Sequence, residues 1–126
     1  CYFDHYQSED TENEPLAIGG FSDLKKVFHY NPMPDSIKED KKHHVIGVQA
    51  NVWTEYMKSF EHVEYMVNPR ILALSEIAWV NPDRKDWKNF AKRLPHNLML
   101  MDHFEINYRK PKPEELLMKV DDKMTN

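Results

Sequence analysis

The order of predicted elements places this chain in the α/β class, in which parallel strands are connected by helices. Two apolar segments, residues 1–6 and 45–52, have the composition and alternation of β-strands. After each of them, apolar residues recur at three- and four-residue steps, as in helices that cover a sheet. Because two parallel strands do not form a stable sheet alone, we expect neighbouring strands from a longer polypeptide.

The first half of the chain combines these strands with a long loop and a short helix. Residues 7–20 are polar, acidic and rich in turn formers, which predicts a loop. Ser22 can cap a helix over about residues 23–30. The proline-rich run 31–34 ends that helix, because a residue that precedes proline avoids the helical region. Residues 35–44 form a charged connector to the second strand.

The second half of the chain is predicted to be helical. Ser59 is a suitable N-cap for a long helical stretch, which Pro69 interrupts. We therefore expect a kink or a new helix with Asn68 as its cap. A further helix includes Trp87 and is disturbed at Pro95.

The composition argues against several classes of function. Seventeen basic and 21 acidic residues give a net charge of −4, so the chain has no basic surface for nucleic acid. No apolar run is long enough to span a membrane, and the single cysteine excludes an internal disulfide. His43 and His44 lack a third ligand at a suitable spacing, so we predict no metal site. No motif indicates a cofactor.

Two aromatic residues, each paired with a carboxylate, are the candidate binding groups. Trp53 and Glu55 follow the second strand, and Tyr2 and Asp4 lie in the first. Residues two apart in extended backbone face the same side, so each ring would lie beside its acid. A flat apolar ring packs on the C–H face of a sugar, while a carboxylate accepts hydrogen bonds from its hydroxyls. The alternative is a buried tryptophan with a solvated glutamate just past the strand.

These pairs belong to a longer series of motifs. The series comprises Tyr2-Phe3-Asp4, Glu14-Pro15, Ile18-Gly19-Gly20, Val27-Phe28-His29-Tyr30-Asn31-Pro32-Met33-Pro34, Gly47-Val48-Gln49-Ala50-Asn51-Val52-Trp53-Thr54-Glu55-Tyr56, Val63-Glu64-Tyr65-Met66, Pro69-Arg70-Ile71-Leu72-Ala73-Leu74-Ser75-Glu76-Ile77-Ala78-Trp79, Phe90 with Arg93-Leu94, and Ile106-Asn107-Tyr108-Arg109. In this order they resemble the C-terminal third of the catalytic domain in family-20 glycoside hydrolases, the β-N-acetylhexosaminidases. The resemblance covers residues 1–110 and leaves 111–126 as a short amphipathic or frayed tail.

The resemblance implies a fold and a location for the site. Family-20 catalytic domains are (β/α)8 TIM barrels, whose sites lie at the C-terminal ends of the strands. Residues 1–6 would be the seventh strand and residues 45–52 the eighth. The chain would then be a helix-rich C-terminal fragment that contains the last two β/α units, and it would not form a complete autonomous fold.

The resemblance also implies a role for each candidate residue. Tyr2 matches the tyrosine that hydrogen-bonds the N-acetyl carbonyl oxygen of the substrate, and Asp4 matches a carboxylate that binds sugar hydroxyls. Trp53 matches the tryptophan beneath the terminal sugar ring. Glu55 matches the acid that accepts hydrogen bonds from hydroxyls at the far side of that ring. The partner implied is a glycan with a terminal β-linked N-acetylhexosamine, and the location implied is secreted, periplasmic or cell-surface.

The catalytic groups of the family have no match in this chain. The family uses substrate-assisted retaining catalysis, in which an adjacent Asp-Glu pair follows an earlier strand of the barrel. The adjacent acids here, Glu9-Asp10, Glu39-Asp40 and Glu114-Glu115, lie in charged loops or in the tail. We therefore predict a parent hydrolase that acts on terminal N-acetylglucosamine or N-acetylgalactosamine, and no activity for this chain alone. The alternative is a stand-alone carbohydrate-binding or protein-interaction module.

Four other residues receive structural interpretations at this point. Trp79 and Trp87 are predicted to anchor helix packing, and Arg70 is predicted to be a structural ion-pair partner. His5 lies close to Asp4 in the sequence but is interpreted as a packed or surface histidine.

We expect the isolated chain to self-associate, through strand pairing or segment exchange, or to persist as an extended helical hairpin. A quarter of a barrel leaves apolar sheet and helix surface uncovered, and free strand edges favour pairing between copies. Light scattering over a range of protein concentrations tests this expectation. A compact monomer at high concentration would contradict it.

Overall fold

A computed structural model describes residues 1–117, and most of its regular structure is helical. The helices are α1 (Leu24–His29), α2 (Phe60–Val67), α3 (Arg70–Trp79), α4 (Trp87–His103) and α5 (Pro113–Leu116). Three short 3-10 helices cover Thr11–Asn13, Glu39–His44 and Pro82–Arg84. The connector predicted over residues 35–44 is therefore partly helical, and the loop predicted over residues 7–20 contains one 3-10 turn.

The two predicted strands meet at a single parallel bridge between Tyr2 and Asn51. The amide of Phe3 donates to the carbonyl of Asn51 at 2.9 Å, and the amide of Asn51 donates to the carbonyl of Cys1 at 2.8 Å. The N-terminal amine of Cys1 donates to the carbonyl of Gln49 at 2.8 Å. These bonds align the first residues of the chain with the segment that precedes Trp53.

Continuous strands over 1–6 and 45–52 do not form in the part of the chain that the structure describes, so these strand boundaries were wrong. A ladder needs several consecutive partners on a neighbouring strand. The pairing described above is confined to the residues around Tyr2 and Asn51. The chain turns at Phe3 and Asp4, and a second isolated parallel bridge joins Tyr6 to Phe21.

The hydrophobic core lies between α1, α3 and α4. Its buried members are Phe3, Leu24, Val27, Phe28, Ala73, Leu74, Ile77, Trp87, Phe90 and Leu94. The Trp87 ring meets Phe28 nearly edge-on, with 5.2 Å between ring centroids, an arrangement that aromatic pairs favour. The predicted packing role of Trp87 is therefore confirmed. The same prediction for Trp79 was wrong, because Trp79 ends α3 with 89% of its surface exposed.

The helix ends show where local sequence signals decided the structure. Ser59 caps α2, as predicted, by accepting a hydrogen bond from the amide of His62. For α1 the cap is Asp23 and not Ser22, one residue later than expected. Asn68 closes α2, and Pro69 takes the N-cap position of α3 that was predicted for Asn68. α4 continues through Pro95, where the sequence predicted a disturbance.

Several large apolar side chains remain exposed in this fold. They are Tyr2, Leu16, Ile18, Tyr30, Ile46, Trp53, Tyr56, Phe60, Trp79, Met99, Leu100, Phe104 and Leu117. A surface of this kind is the physical basis for the self-association expected above. No helix within residues 1–117 combines the length and the apolar character needed to cross a membrane.

The guanidinium of Arg70 is completely buried and joins separate parts of the chain. Its Nη1 donates to the carbonyls of His5 at 3.0 Å and Ser22 at 2.8 Å. Its Nη2 donates to the carbonyls of Phe3 and Met66, and its Nε also reaches Met66. The Phe3 ring lies 4.9 Å from the guanidinium carbon. The segment just before α1 and the first residues of the chain are thereby attached to the α2–α3 junction.

The predicted ion-pair role of Arg70 was therefore wrong. No carboxylate among residues 1–117 lies within salt-bridge distance of it, and its partners are backbone carbonyls. Burial lowers the pKa of Arg70 to about 9, although the charges of Glu14 and Asp4 act to raise it. The guanidinium therefore remains charged at neutral pH. Sequence spacing cannot reveal a role of this kind, because every residue type offers a carbonyl.

A second buried cluster ties the loop of residues 7–20 to the C-terminal part of the chain. Arg109 donates to Glu14 at 2.7 Å and forms a two-bond pair with Glu115 at 2.6 and 2.8 Å. The Tyr65 hydroxyl donates to the other oxygen of Glu14 at 3.1 Å. Burial and the charge of Glu14 together raise the pKa of Tyr65 to about 12.

Replacing Arg70 with methionine should lower the free energy of unfolding by at least about 3 kcal/mol. The carbonyls of Phe3, His5 and Ser22 would lose a donor, and each buried acceptor left without one costs about 1–3 kcal/mol. Urea unfolding followed by tryptophan fluorescence measures the change. Arg93→Met is the matched control, since Arg93 is half exposed and pairs with Glu76 at 2.5 Å. It should cost less than about 1 kcal/mol. Equal losses in the two variants would contradict the role of Arg70 in joining these segments.

The Tyr65 hydroxyl should contribute to stability below pH 10 and lose that contribution as the pH rises toward 12. The folded chain holds the phenol proton more tightly than the unfolded chain, so deprotonation favours unfolding. The difference in unfolding free energy between wild type and Tyr65→Phe should be about 1 kcal/mol at pH 8 and fall at higher pH. Because lysines also titrate there, only this difference is informative. A difference that is constant from pH 8 to pH 12 would contradict the assignment.

Candidate functional site

The parallel bridge brings the two aromatic residues of the candidate site onto neighbouring segments. Tyr2 lies opposite Asn51, and Trp53 follows Asn51 by two residues. Residues two apart in extended backbone face the same side. This register is therefore compatible with a single cleft that is lined by the rings of both Tyr2 and Trp53. Both side chains are accessible, with 50% of Tyr2 and 56% of Trp53 exposed. The side chain of Gln49 donates to that of Asn51 beside this bridge.

Glu55 lies where the second segment changes direction. The amide of Met57 donates to the carbonyl of Thr54 at 3.1 Å, which closes a turn with Glu55 and Tyr56 at its centre. The prediction that Trp53 and Glu55 face the same side required extended backbone through Glu55. Because the chain turns there, strand alternation no longer places the two side chains on one side. The Glu55 side chain is exposed to solvent.

Asp4 occupies a different environment from Tyr2. It follows Phe3 in the turn after the bridge, so strand alternation does not carry through from Tyr2 to Asp4. Only 5% of Asp4 is exposed, and its Oδ1 has no hydrogen-bond partner among the described protein groups. A buried acceptor without a donor costs free energy. Arg70 fixes the backbone on both sides of Asp4 through the carbonyls of Phe3 and His5.

His5 contacts Tyr2, whereas its sequence context predicted a packed or surface histidine. Its ring stacks on Tyr2, with 5.5 Å between ring centroids and 20° between the planes. The His5 ring also lies close to Gly20, whose φ of +67° is in the left-handed region that glycine adopts readily. A Cβ at Gly20 would be 2.9 Å from the His5 ring. The consecutive glycines 19 and 20 were a signal for this close approach, but they were interpreted only as the end of a loop.

The described part of the chain contains no group of three or more His, Cys, Asp or Glu residues arranged to hold a metal ion. His43 and His44 are close to each other, with 4.0 Å between ring centroids, and lie in the 3-10 helix Glu39–His44. The candidate site therefore consists of two aromatic rings, a buried carboxylate and an exposed carboxylate.

Residues 1–82 match the family model described as glycosyl hydrolase family 20, catalytic domain. Among curated relatives, a β-hexosaminidase from Porphyromonas gingivalis is 42% identical over 114 residues, or 90% of this chain and 14% of that protein. A β-N-acetylhexosaminidase from Cellulomonas fimi is 38% identical over 90 residues, or 69% of this chain and 17% of that protein. The chain thus spans less than a fifth of the length of these two relatives.

Solved structures of family-20 enzymes have the same local fold. An exo-β-N-acetylglucosaminidase from Vibrio harveyi, in complex with N-acetylglucosamine, gives a TM-score of 0.73 at 29% identity, covering 87% of this chain and 17% of that one. The β-N-acetylhexosaminidase from Streptomyces coelicolor A3(2) gives a TM-score of 0.75 at 23% identity, covering 90% of this chain and 22% of that one.

The fold-class prediction is confirmed by these matches. The chain is a small, helix-rich part of a TIM-barrel enzyme fold. The family match over residues 1–82 and the 42% identity to the Porphyromonas gingivalis enzyme agree with the motifs found in the sequence. This chain belongs to glycosyl hydrolase family 20 and forms part of its catalytic domain.

Proposed function

We propose that this chain is the C-terminal part of an exo-acting β-N-acetylhexosaminidase and supplies one side of its sugar-binding site. The enzyme would remove terminal β-linked N-acetylglucosamine or N-acetylgalactosamine from glycans outside the cytoplasm. The main support is the Tyr2–Asn51 bridge, which aligns the segments that carry Tyr2 and Trp53. The activities named for the relatives support the same reaction class.

In this proposal each candidate residue has one task. The Trp53 ring packs beneath the sugar, and Glu55 accepts hydrogen bonds from hydroxyls at the rim. The Asp4 carboxylate accepts from another hydroxyl. The Tyr2 hydroxyl donates to the carbonyl oxygen of the acetamido group. Its exposed ring is compatible with that contact.

The proposed reaction is substrate-assisted and retaining. The acetamido oxygen attacks the anomeric carbon and forms a C–O bond, while the glycosidic C–O bond breaks and a general acid protonates the departing oxygen. Water then adds to the anomeric carbon and gives a proton to the conjugate base of that acid, while the bond between the anomeric carbon and the acetamido oxygen breaks. The sugar is released with its configuration retained. A hydrogen bond from Tyr2 would hold the acetamido group in line for attack, which lowers the barrier through orientation.

The acid–base pair of this reaction would come from another part of the polypeptide. In each adjacent acidic pair of the described residues, at least one acid bonds to a side chain outside the candidate site. Asp10 accepts from the side chain of Asn13, and Glu115 pairs with Arg109. Glu39 and Asp40 pair with neighbouring lysines. None of these acids is brought to the Tyr2–Asn51 bridge by the hydrogen bonds described above.

A chromogenic N-acetyl-β-glucosaminide tests the proposal in two preparations. The complete polypeptide encoded by the gene should hydrolyse it, whereas the 126-residue chain alone should show no turnover. An inactive complete polypeptide would contradict the enzyme assignment. Substantial turnover by the short chain would contradict the assignment of the acid–base pair to another part of the polypeptide.

Substitutions at Trp53 test the sugar platform in the complete polypeptide. Trp53→Phe retains a flat ring and should lower kcat/KM by less than about tenfold, whereas Trp53→Leu should lower it by about 100-fold, or roughly 2.7 kcal/mol. The thermal midpoints of both variants should remain close to that of the wild type, because the side chain is mostly exposed. Equal losses of activity together with lower midpoints would favour the alternative of a packing tryptophan.

A further inference from the structure

The His5 ring contacts two parts of the chain that have separate anchors. One face stacks on the Tyr2 ring, and Gly20 approaches it so closely that a methyl group would collide with it. Tyr2 is half exposed, and the stacked His5 ring limits the rotation of its side chain. The orientation of the Tyr2 phenol therefore depends on where the His5 ring lies.

The backbone on both sides of this contact is fixed. The carbonyl of His5 accepts from Arg70 at 3.0 Å, which prevents the residue from moving away from the site. The loop that carries Gly20 is held by the parallel bridge between Tyr6 and Phe21 and by the amide of Ser22, which donates to the carbonyl of Tyr6 at 2.9 Å. A side chain added at Gly20 would therefore displace the His5 ring and not the backbone.

We propose that His5 is a positioning residue that orients the Tyr2 hydroxyl toward the acetamido group, and that Gly20 is required because it leaves space for the His5 ring. This inference rests on the proposed function, in which Tyr2 contacts that group. His5 itself does not touch the substrate. Its effect should appear mainly in kcat, since alignment of the acetamido oxygen matters most when it attacks the anomeric carbon.

A double-mutant cycle in the complete polypeptide tests the coupling. His5→Ala should lower kcat about tenfold with little change in KM, and His5→Phe, which retains a stacking ring, should recover most of the loss. In a Tyr2→Phe background, His5→Ala should have almost no further effect on kcat, because the hydroxyl that it positions is gone. Thermal midpoints measured on all variants separate this coupling from a loss of folding. If the effects of His5→Ala and Tyr2→Phe on kcat multiply, the positioning role is overturned.

The adjacent glycines provide a matched control for the steric part of the proposal. Gly19 has a φ of +115° with open space around the position of a Cβ, whereas Gly20 has a φ of +67° and faces His5. Gly19→Ala therefore introduces the greater backbone strain and Gly20→Ala introduces the collision. We expect Gly20→Ala to lower kcat about tenfold more than Gly19→Ala does. The double variant Gly20→Ala/His5→Ala should then be no worse than His5→Ala alone.

The outcomes separate this proposal from the function on which it rests. If the wild-type complete polypeptide does not hydrolyse the substrate, the proposed function fails and the positioning role fails with it. If the wild type is active but Gly20→Ala is no worse than Gly19→Ala, only the steric role of Gly20 is overturned. An active wild type with independent His5 and Tyr2 effects overturns only the role of His5.

Discussion

The buried guanidinium of Arg70 is the interaction on which the rest of the structure depends. A charge removed from water must be compensated by hydrogen bonds, and here the compensation comes from the carbonyls of Phe3, His5, Ser22 and Met66. These acceptors belong to the N-terminal segment, the residues just before α1 and the end of α2, so one side chain fixes three separate segments. The hydrophobic core then packs against this junction through Phe3, which lies under the guanidinium.

The candidate sugar site is attached directly to that junction. Asp4 lies between two residues whose carbonyls Arg70 binds, and the Tyr2–Asn51 bridge is next to it in the chain. The exposed rings of Tyr2 and Trp53 therefore lie next to backbone that the bridge and the Arg70 hydrogen bonds hold in place. Rigid support of this kind is what a binding site needs, because errors in the position of a contact reduce its value. His5 and Gly20 extend the same support to the Tyr2 side chain.

The sequence predicted those features that short segments determine. Ser59 as a cap, a break at Pro69 and Trp87 in the core follow from local patterns, and the structure confirms all three. The lengths of the strands could not be predicted, since a strand exists only where partners pair with it. The carbonyl partners of Arg70, the exposure of Trp79 and the contact between His5 and Gly20 depend on tertiary packing that leaves no periodic signal. Motif order identified the family, and it could not show which neighbours hold each site residue.

The contact between Glu14 and Arg109 has a consequence for biosynthesis. The two residues are 95 positions apart, so the loop that follows the Tyr2 segment cannot be locked until Arg109 has left the ribosome. The loop of residues 7–20 is thus synthesised early in this stretch and fixed late, in the manner of a late-closing long-range contact. Until then the acidic loop can stay hydrated, and chaperones or proteases that meet the nascent chain would find it open.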